Sequence, residues 1–273
     1  MLLGTAFITA NDALIKLVVI DHPIGEAIFI RGMFALIPIG LLLRRAGGWR
    51  AARWHSFTGQ LTSALLLVLS LYLFVYCLSI FPLGLLTIVL YTSPLMVALL
   101  APWLLKEQVG WLRWVAIIFG FAGTLIVLQP GHADFDWRLV LPLLVALASA
   151  YRDTFIRRLV ARETSVSVLL FSSMFVTLSA LPTAFLGWDP LSLIDFVVLA
   201  ASGLAFGFGI FFVTDALRYA DASLVVPFKY SGVVWALLLG YFLWDETLSV
   251  STILGALIIV ASGLLLARVK SEK

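Results

Sequence analysis

The chain has 273 residues, 62% of them hydrophobic and only 12% charged, against about 45–50% and about 25% in an ordinary soluble domain. That balance excludes a soluble globule, and ten spans of about 20 apolar residues each would leave short connections and no room for a separate soluble domain. The net charge of +3 does not point to nucleic acid, because the cations fall between apolar runs and form no basic face with stacking aromatics.

Apolar runs bounded by charge or glycine predict an all-α membrane protein with spans at 2–20, 24–43, 57–80, 83–105, 110–128, 138–160, 165–187, 192–216, 221–243 and 248–267. The first run follows Met1 directly, with no basic stretch before it, and carries polar Asn11 and Asp12. It is therefore read as a retained span and not a signal peptide. Asp12 and Lys16 are four residues apart, a spacing that puts both on one helix face. Either they form a neutral pair that merely locks span 1 into the bundle, or they line a watery cavity. Arg31 lies about 10 Å along span 2, near enough to an interface for its long stem to reach water. Span 3 holds Tyr76. Span 4 holds Tyr91 and Pro94, and Glu107 follows it at the predicted start of the next helix, where a carboxylate favours the positive helix end.

In the second half, span 6 carries Arg152 and Asp153, with Arg157 four residues after Asp153. Gly203 and Gly207 in span 8 have the small-xxx-small spacing of close helix packing, and Asp215 lies near that span's end. Span 9 holds Lys229 between Pro227 and Tyr230. Proline removes a backbone hydrogen bond, and carbonyls freed at membrane depth are tolerated mainly beside a cavity or other protein, so Lys229 is the leading candidate for solute contact. Tyr230 and Trp235 would add a phenol and an indole, although Trp235 also fits plain helix packing. Glu246 occupies the same place after span 9 that Glu107 occupies after span 4.

Cys77 is the single cysteine, which rules out an internal disulfide or a cysteine-rich metal site. His22, His55 and His132 all fall in predicted loops. No catalytic residue, metal or cofactor is expected.

The loops after the even-numbered spans hold Arg44, Arg45, Arg50, Arg53, Lys106, Arg113, Arg157, Arg158, Arg162, Arg218, Arg268, Lys270 and Lys273, whereas the odd side offers Arg138 alone. Such a bias in short loops places the even side, and both termini, in the cytoplasm, with a bacterial inner membrane as the expected location. Trp103, Trp111, Trp114, Trp137, Trp188 and Trp244 fall at span ends, where an amphipathic indole prefers the interface.

An offset of 139 brings Tyr91 onto Tyr230, Tyr76 onto Asp215, Leu104 onto Leu243, Glu107 onto Glu246 and Ala122 onto Ala261; an offset of 141 brings Asp12 onto Asp153 and Lys16 onto Arg157. The chain thus reads as two five-span repeats, 1–130 and 137–268. Five is odd, so the second copy enters from the opposite face, an inverted arrangement common in secondary transporters. The counterpart of Trp137 would precede Met1, which predicts that a few residues come before it in the natural protein.

The stretch from Phe81 to Pro130 and its partner from Pro227 to Leu266, each with a helix running into glutamate and then a glycine-containing span, resemble the EamA family of the drug/metabolite transporter superfamily. Asn11-Asp12-Ala13-Leu14-Ile15-Lys16 and Arg31-Gly32 resemble part of it too. The resemblance implies a ten-span fold and solute transport without ATP, for solutes as varied as amino acids, nucleotides, sugars, vitamins and drugs.

The expected function is alternating access around a midplane site. Lys229 and Arg31 would attract an anionic or zwitterionic metabolite, and Asp12 or Asp153 would balance charge or couple protons. A small-molecule substrate, the lipid bilayer and a second copy of the chain are the expected partners. A channel would show a repeated filter segment or rings of like charge, and a membrane-embedded enzyme would need a nucleophile with a base in reach. Neither pattern is evident in the sequence.

Overall fold

A computed structural model of the chain describes residues 1–52, 55–104, 110–129, 136–159, 163–219 and 226–268. Its helices are α1 (Leu2–Val19), α2 (Ile24–Arg45), α3 (Phe57–Ile80), α4 (Leu83–Leu90), α5 (Ser93–Leu104), α6 (Trp111–Leu128), α7 (Val140–Leu159), α8 (Ser165–Ala180), α9 (Leu193–Tyr219), α10 (Ser231–Trp244) and α11 (Val250–Arg268). Among the described residues, nine helical stretches are long and apolar enough to cross a membrane, and a shorter apolar helix covers Phe228–Trp244. Nine of the ten predicted spans are recovered at spanning length and the ninth as the shorter helix; residues 221–225 of the ninth, 105 of the fourth and 160 of the sixth lie outside the described part. The chain is a multi-pass membrane protein.

Span 4 is broken. α4 ends in a tight turn in which Tyr91 N–H is shared between the Thr87 and Ile88 carbonyls and Thr92 N–H reaches Val89, and α5 then starts at Ser93. Pro94 supplies the reason, since it has no N–H to continue the ladder back to Leu90. Span 9 begins with a 3-10 turn over Val226–Tyr230 before α10 takes over, so the irregular backbone of both spans falls at the two tyrosines matched by the offset.

α1 packs on α9 and α10, and α2 on α8 and α9; in turn α7 packs on α3 and α5, and α3 also on α8. Close approaches hold the seams. A Cβ on Gly203 would collide with the Arg31 carbonyl of α2, and one on Gly207 would lie 2.8 Å from the Ala35 carbonyl, so the glycine spacing in span 8 serves helix contact as expected. Gly123 of α6 meets α11 in the same way, 2.9 Å from the Gly255 carbonyl.

The largest buried apolar cluster gathers at the odd-side helix ends, with Ile15 of α1, Ile28 of α2, Leu78 of α3, Leu86 of α4, Val176 of α8 and Leu199 of α9. Side chains of this size exclude water by filling the space between the helices, so these helix ends are packed together on the odd side.

On the even side, Glu163 staples α3 to α8. Its carboxylate accepts the backbone N–H of His55 at 2.6 Å and of Ser56 at 2.7 Å, and the Gln60 amide at 3.3 Å. Burial alone would raise its pKa, but these bonds and the nearby His55 ring outweigh burial and hold it below the ordinary carboxylate range.

Trp103, Trp111 and Trp137 are exposed at helix ends, as membrane-interface residues are. Between α8 and α9 a 3-10 turn, Leu181–Leu186, leaves Phe185 94% and Leu186 86% exposed.

Candidate functional site

Polar side chains within the spans gather along α1. Asn11 is buried at the middle of that helix. Its Oδ1 accepts Arg31 Nε at 2.6 Å and Ser202 Oγ at 3.0 Å, while its own amide donates to Asp12 Oδ1 at 2.8 Å. The Arg31 guanidinium lies 4.4 Å over the Phe206 ring, a cation–π contact strengthened where water is excluded. Asp12 interacts electrostatically with Arg31 and with Tyr91. One carboxylate and one guanidinium therefore share a centre built from α1, α2 and α9, with Asn11 between them.

The reading of Arg31 as a stem reaching for the interface is overturned. Gly203 brings the α2 backbone against α9 at Arg31 itself, which turns that face of α2 inward, and the side chain finds an amide oxygen and an aromatic face there instead of water.

Beside this centre stand the two breaks. The Tyr91 and Tyr230 rings lie 5.1 Å apart at 37°, and Tyr91 Oη donates to the Lys229 carbonyl at 2.5 Å. The backbone oxygen in the irregular part of span 9 is thus satisfied by a side chain from span 4, as membrane depth requires. The Tyr230 ring is buried, with its hydroxyl against Gly263 of α11, and the Lys229 side chain is exposed. At one end of the α1–α10 seam Thr5 hydrogen-bonds Ser231 at 2.8 Å. Trp235 stands one turn further along α10, level with the turn of α1 that leads to Asp12. Its Nε1 is buried with no hydrogen-bond partner among the described residues.

At the other end of that seam the expected Asp12–Lys16 pair is not made. Lys16 Nζ instead binds Glu246 Oε1 at 2.5 Å and the Phe81 carbonyl at 2.9 Å, and lies 4.6 Å over the Trp244 ring. An exposed i,i+4 pair contributes only about 0.2–0.5 kcal/mol, whereas this corner offers a buried ammonium a carboxylate, a carbonyl and an indole at once. Glu246 does favour a helix N-terminus, but that of α4 and not of the following helix: it accepts Leu83 N–H at 3.1 Å and Gly84 N–H at 3.5 Å. Trp244 accordingly faces a cation at its span end.

Other candidates stand apart. Tyr76 is 45% exposed on α3. Asp215 lies 3.9 Å from Arg45 at the even end of α9. Arg152 Nη1 is 3.9 Å from the exposed Asp153, and Arg152 Nε is buried without a hydrogen-bond partner among the described residues. The Arg157 side chain and Glu107 lie outside the described residues, as do His132, Lys106 and Arg162. Among the described residues no group of three or more His, Cys, Asp or Glu could hold a metal ion.

Ser202, Phe206 and Phe81 were missed from sequence. Ser202 precedes the glycine of the close crossing, which is the one local sign that its hydroxyl would face another span.

The EamA-like transporter family model matches residues 1–129 and again residues 137–268. The chain is 31% identical over 209 residues, 77% of it and 70% of the relative, to a protein of Rickettsia prowazekii named S-adenosylmethionine uptake transporter. It is 28% identical, over 95% of its length and 91% of the relative's, to the pseudopaline exporter CntI of Pseudomonas aeruginosa. A solved crystal structure shares the fold, with a TM-score of 0.65 at 19% identity over 97% of this chain and 96% of that one.

Proposed function

The chain belongs to the EamA-like transporter family, and from that premise we propose that it is a secondary transporter of a small zwitterionic metabolite. The solute is received at the Asn11–Asp12–Arg31 centre and passes by alternating access. The observation that carries this reading is the placing of opposite charges, Asp12 and Arg31, on either side of one buried amide, Asn11, beside two spans whose helices are both irregular at a tyrosine. A solute with an ammonium and a carboxylate meets a partner for each, and buried charge is retained in a membrane mainly where such service is needed. Tyr91, Tyr230 and the Trp235 indole, which has no hydrogen-bond partner among the described residues, offer flat apolar faces and a donor to the rest of the solute, and the exposed Lys229 adds a cation at the even-side approach.

Alternating access is supported by the family match to each half of the chain and by the exchange pattern of the packing, in which α1 on α9 and α10 answers to α7 on α3 and α5. We read the two halves, 1–130 and 137–268, as inverted repeats with both termini in the cytoplasm, on the odd span number and the cation bias. Asp12 is the proposed proton-coupling group, since a carboxylate whose neighbours change between conformations changes its proton affinity with them.

S-adenosylmethionine, an α-amino acid with a sulfonium and an adenosine, is the first solute to test, given the relative named for its uptake. In proteoliposomes, folded Asp12→Asn is expected to exchange labelled S-adenosylmethionine at least about tenfold more slowly than the parent, equivalent to about 1.4 kcal/mol. Parent protein that exchanges none of this solute removes it from the list, and Asp12→Asn that exchanges it at the parent rate moves the site away from α1.

A further inference from the structure

The Lys16–Glu246 contact is unusual in what it joins. Lys16 belongs to α1, the carbonyl it binds belongs to the α3–α4 corner at Phe81, and Glu246 and Trp244 belong to the α10–α11 corner. One ammonium therefore ties three separate elements at the odd face. The carboxylate is tied as well, by the free N–H groups of Leu83 and Gly84 at the start of α4, where the helix dipole favours negative charge. Side-chain exposure is 7% for Lys16 and 12% for Glu246.

We infer that this Lys16–Glu246 contact is the latch of the odd-side gate, holding the start of α4 and the α10–α11 corner against α1 while the solute site is closed to that side. The inference rests on the transporter reading given above. A latch must be able to open, and this one is placed for it. Buried, the pair trades desolvation for its mutual attraction and its hydrogen bonds; parted at a water-filled mouth, each ion regains hydration. The two arrangements are then close enough in free energy to exchange, and the pair controls whether the apolar side chains packed behind it, Leu83 and Leu86 of α4 among them, stay together.

α4 carries the motion inward. It is eight residues long, about 12 Å at helical rise, and runs from the latch at Leu83 to Tyr91 beside the solute centre. The break at Tyr91–Thr92 separates it from α5, so α4 can swing without dragging the rest of span 4. Release at Glu246 thus frees one end of a short rod whose other end bears the tyrosine that bonds Lys229.

The test reads conformation and needs no solute, so its failure is separate from failure of the transport reading. In a Cys77→Ser background, nitroxides at exposed Asp21 and Thr247 report the odd face, and a pair at Arg50 and Ser165 the even face, by electron–electron distance measurement. Lys16→Met is expected to raise the long-distance fraction of the odd-side pair at least about tenfold, with no widening at the even face, while Lys16→Arg keeps the parent distribution. Glu246→Gln, which keeps an acceptor for the α4 N–H groups, is expected to act as Lys16→Met does. Parent distances in both charge-removing variants overturn the latch. So does widening at both faces, or failure of both variants to fold, since either marks a contact that only holds the scaffold together.

Discussion

Spans 4 and 9 occupy matching places in the two halves and are built differently. In span 4 the position before the tyrosine is Leu90, which packs against the main apolar cluster; in span 9 it is Lys229, whose side chain is exposed. The Tyr91 hydroxyl reaches out of its own half to the Lys229 carbonyl and lies against Gly232, whereas the Tyr230 hydroxyl stays within its half, on Gly263. The matched irregularity supplies a movable pair of spans, and the unmatched residues supply chemistry. A solute is not symmetric, so groups that recognise it belong where the halves differ.

That comparison breaks most sharply at Gly263. A Cβ there would overlap the Tyr230 hydroxyl, and because the ring is buried the added methyl has to move it. Gly263→Ala is expected to lower stability by about 1–3 kcal/mol, read as a lower melting temperature of the purified protein, and to slow transport. A variant that melts with the parent would show Tyr230 to be the looser ring of the two.

Lys229→Met tests the asymmetry itself. It keeps most of the stem and removes the charge, so folding is expected to stay intact while solute affinity falls at least about tenfold, or about 1.4 kcal/mol. Parent affinity in the folded variant would assign Lys229 to the lipid or cytoplasmic surface and leave Arg31 as the cation that matters. The smallest effect is expected at Tyr91→Phe, which deletes the 2.5 Å bond to the Lys229 carbonyl and keeps the ring. A loss of about 1 kcal/mol in unfolding free energy, with the Tyr91–Tyr230 contact retained, would show that the hydroxyl secures the span 9 backbone; no loss would mean that water takes its place there.

What could be read from the chain follows from how far each signal reaches. Apolar runs and the Gly203–Gly207 spacing are local, and each helix declares them alone. Asn11, Asp12 and Arg31 could be named because polar groups at membrane depth are conspicuous wherever they point. Their partners could not be. Lys16 is four residues from Asp12, and that spacing suggested a pair, yet the carboxylate it binds is Glu246, from the other half of the chain. Periodicity has nothing to say about such a contact, which depends on how the corners of three elements meet. The same limit explains why Glu246 was read as serving its own next helix and not α4.

The turn between α8 and α9 has a consequence of another kind. Phe185 and Leu186 stand almost wholly clear of protein at the odd face, where the acyl chains of a surrounding bilayer would keep them from water. Two such side chains favour the depth at which hydrocarbon covers them, and so bias how high this rim of the molecule rides. The Lys16–Glu246 corner is carried on the same rim, so a bilayer with longer acyl chains draws it deeper into hydrocarbon and one with shorter chains lifts it toward the aqueous phase. Lipid chain length is therefore expected to act on the protein from outside, without changing a residue.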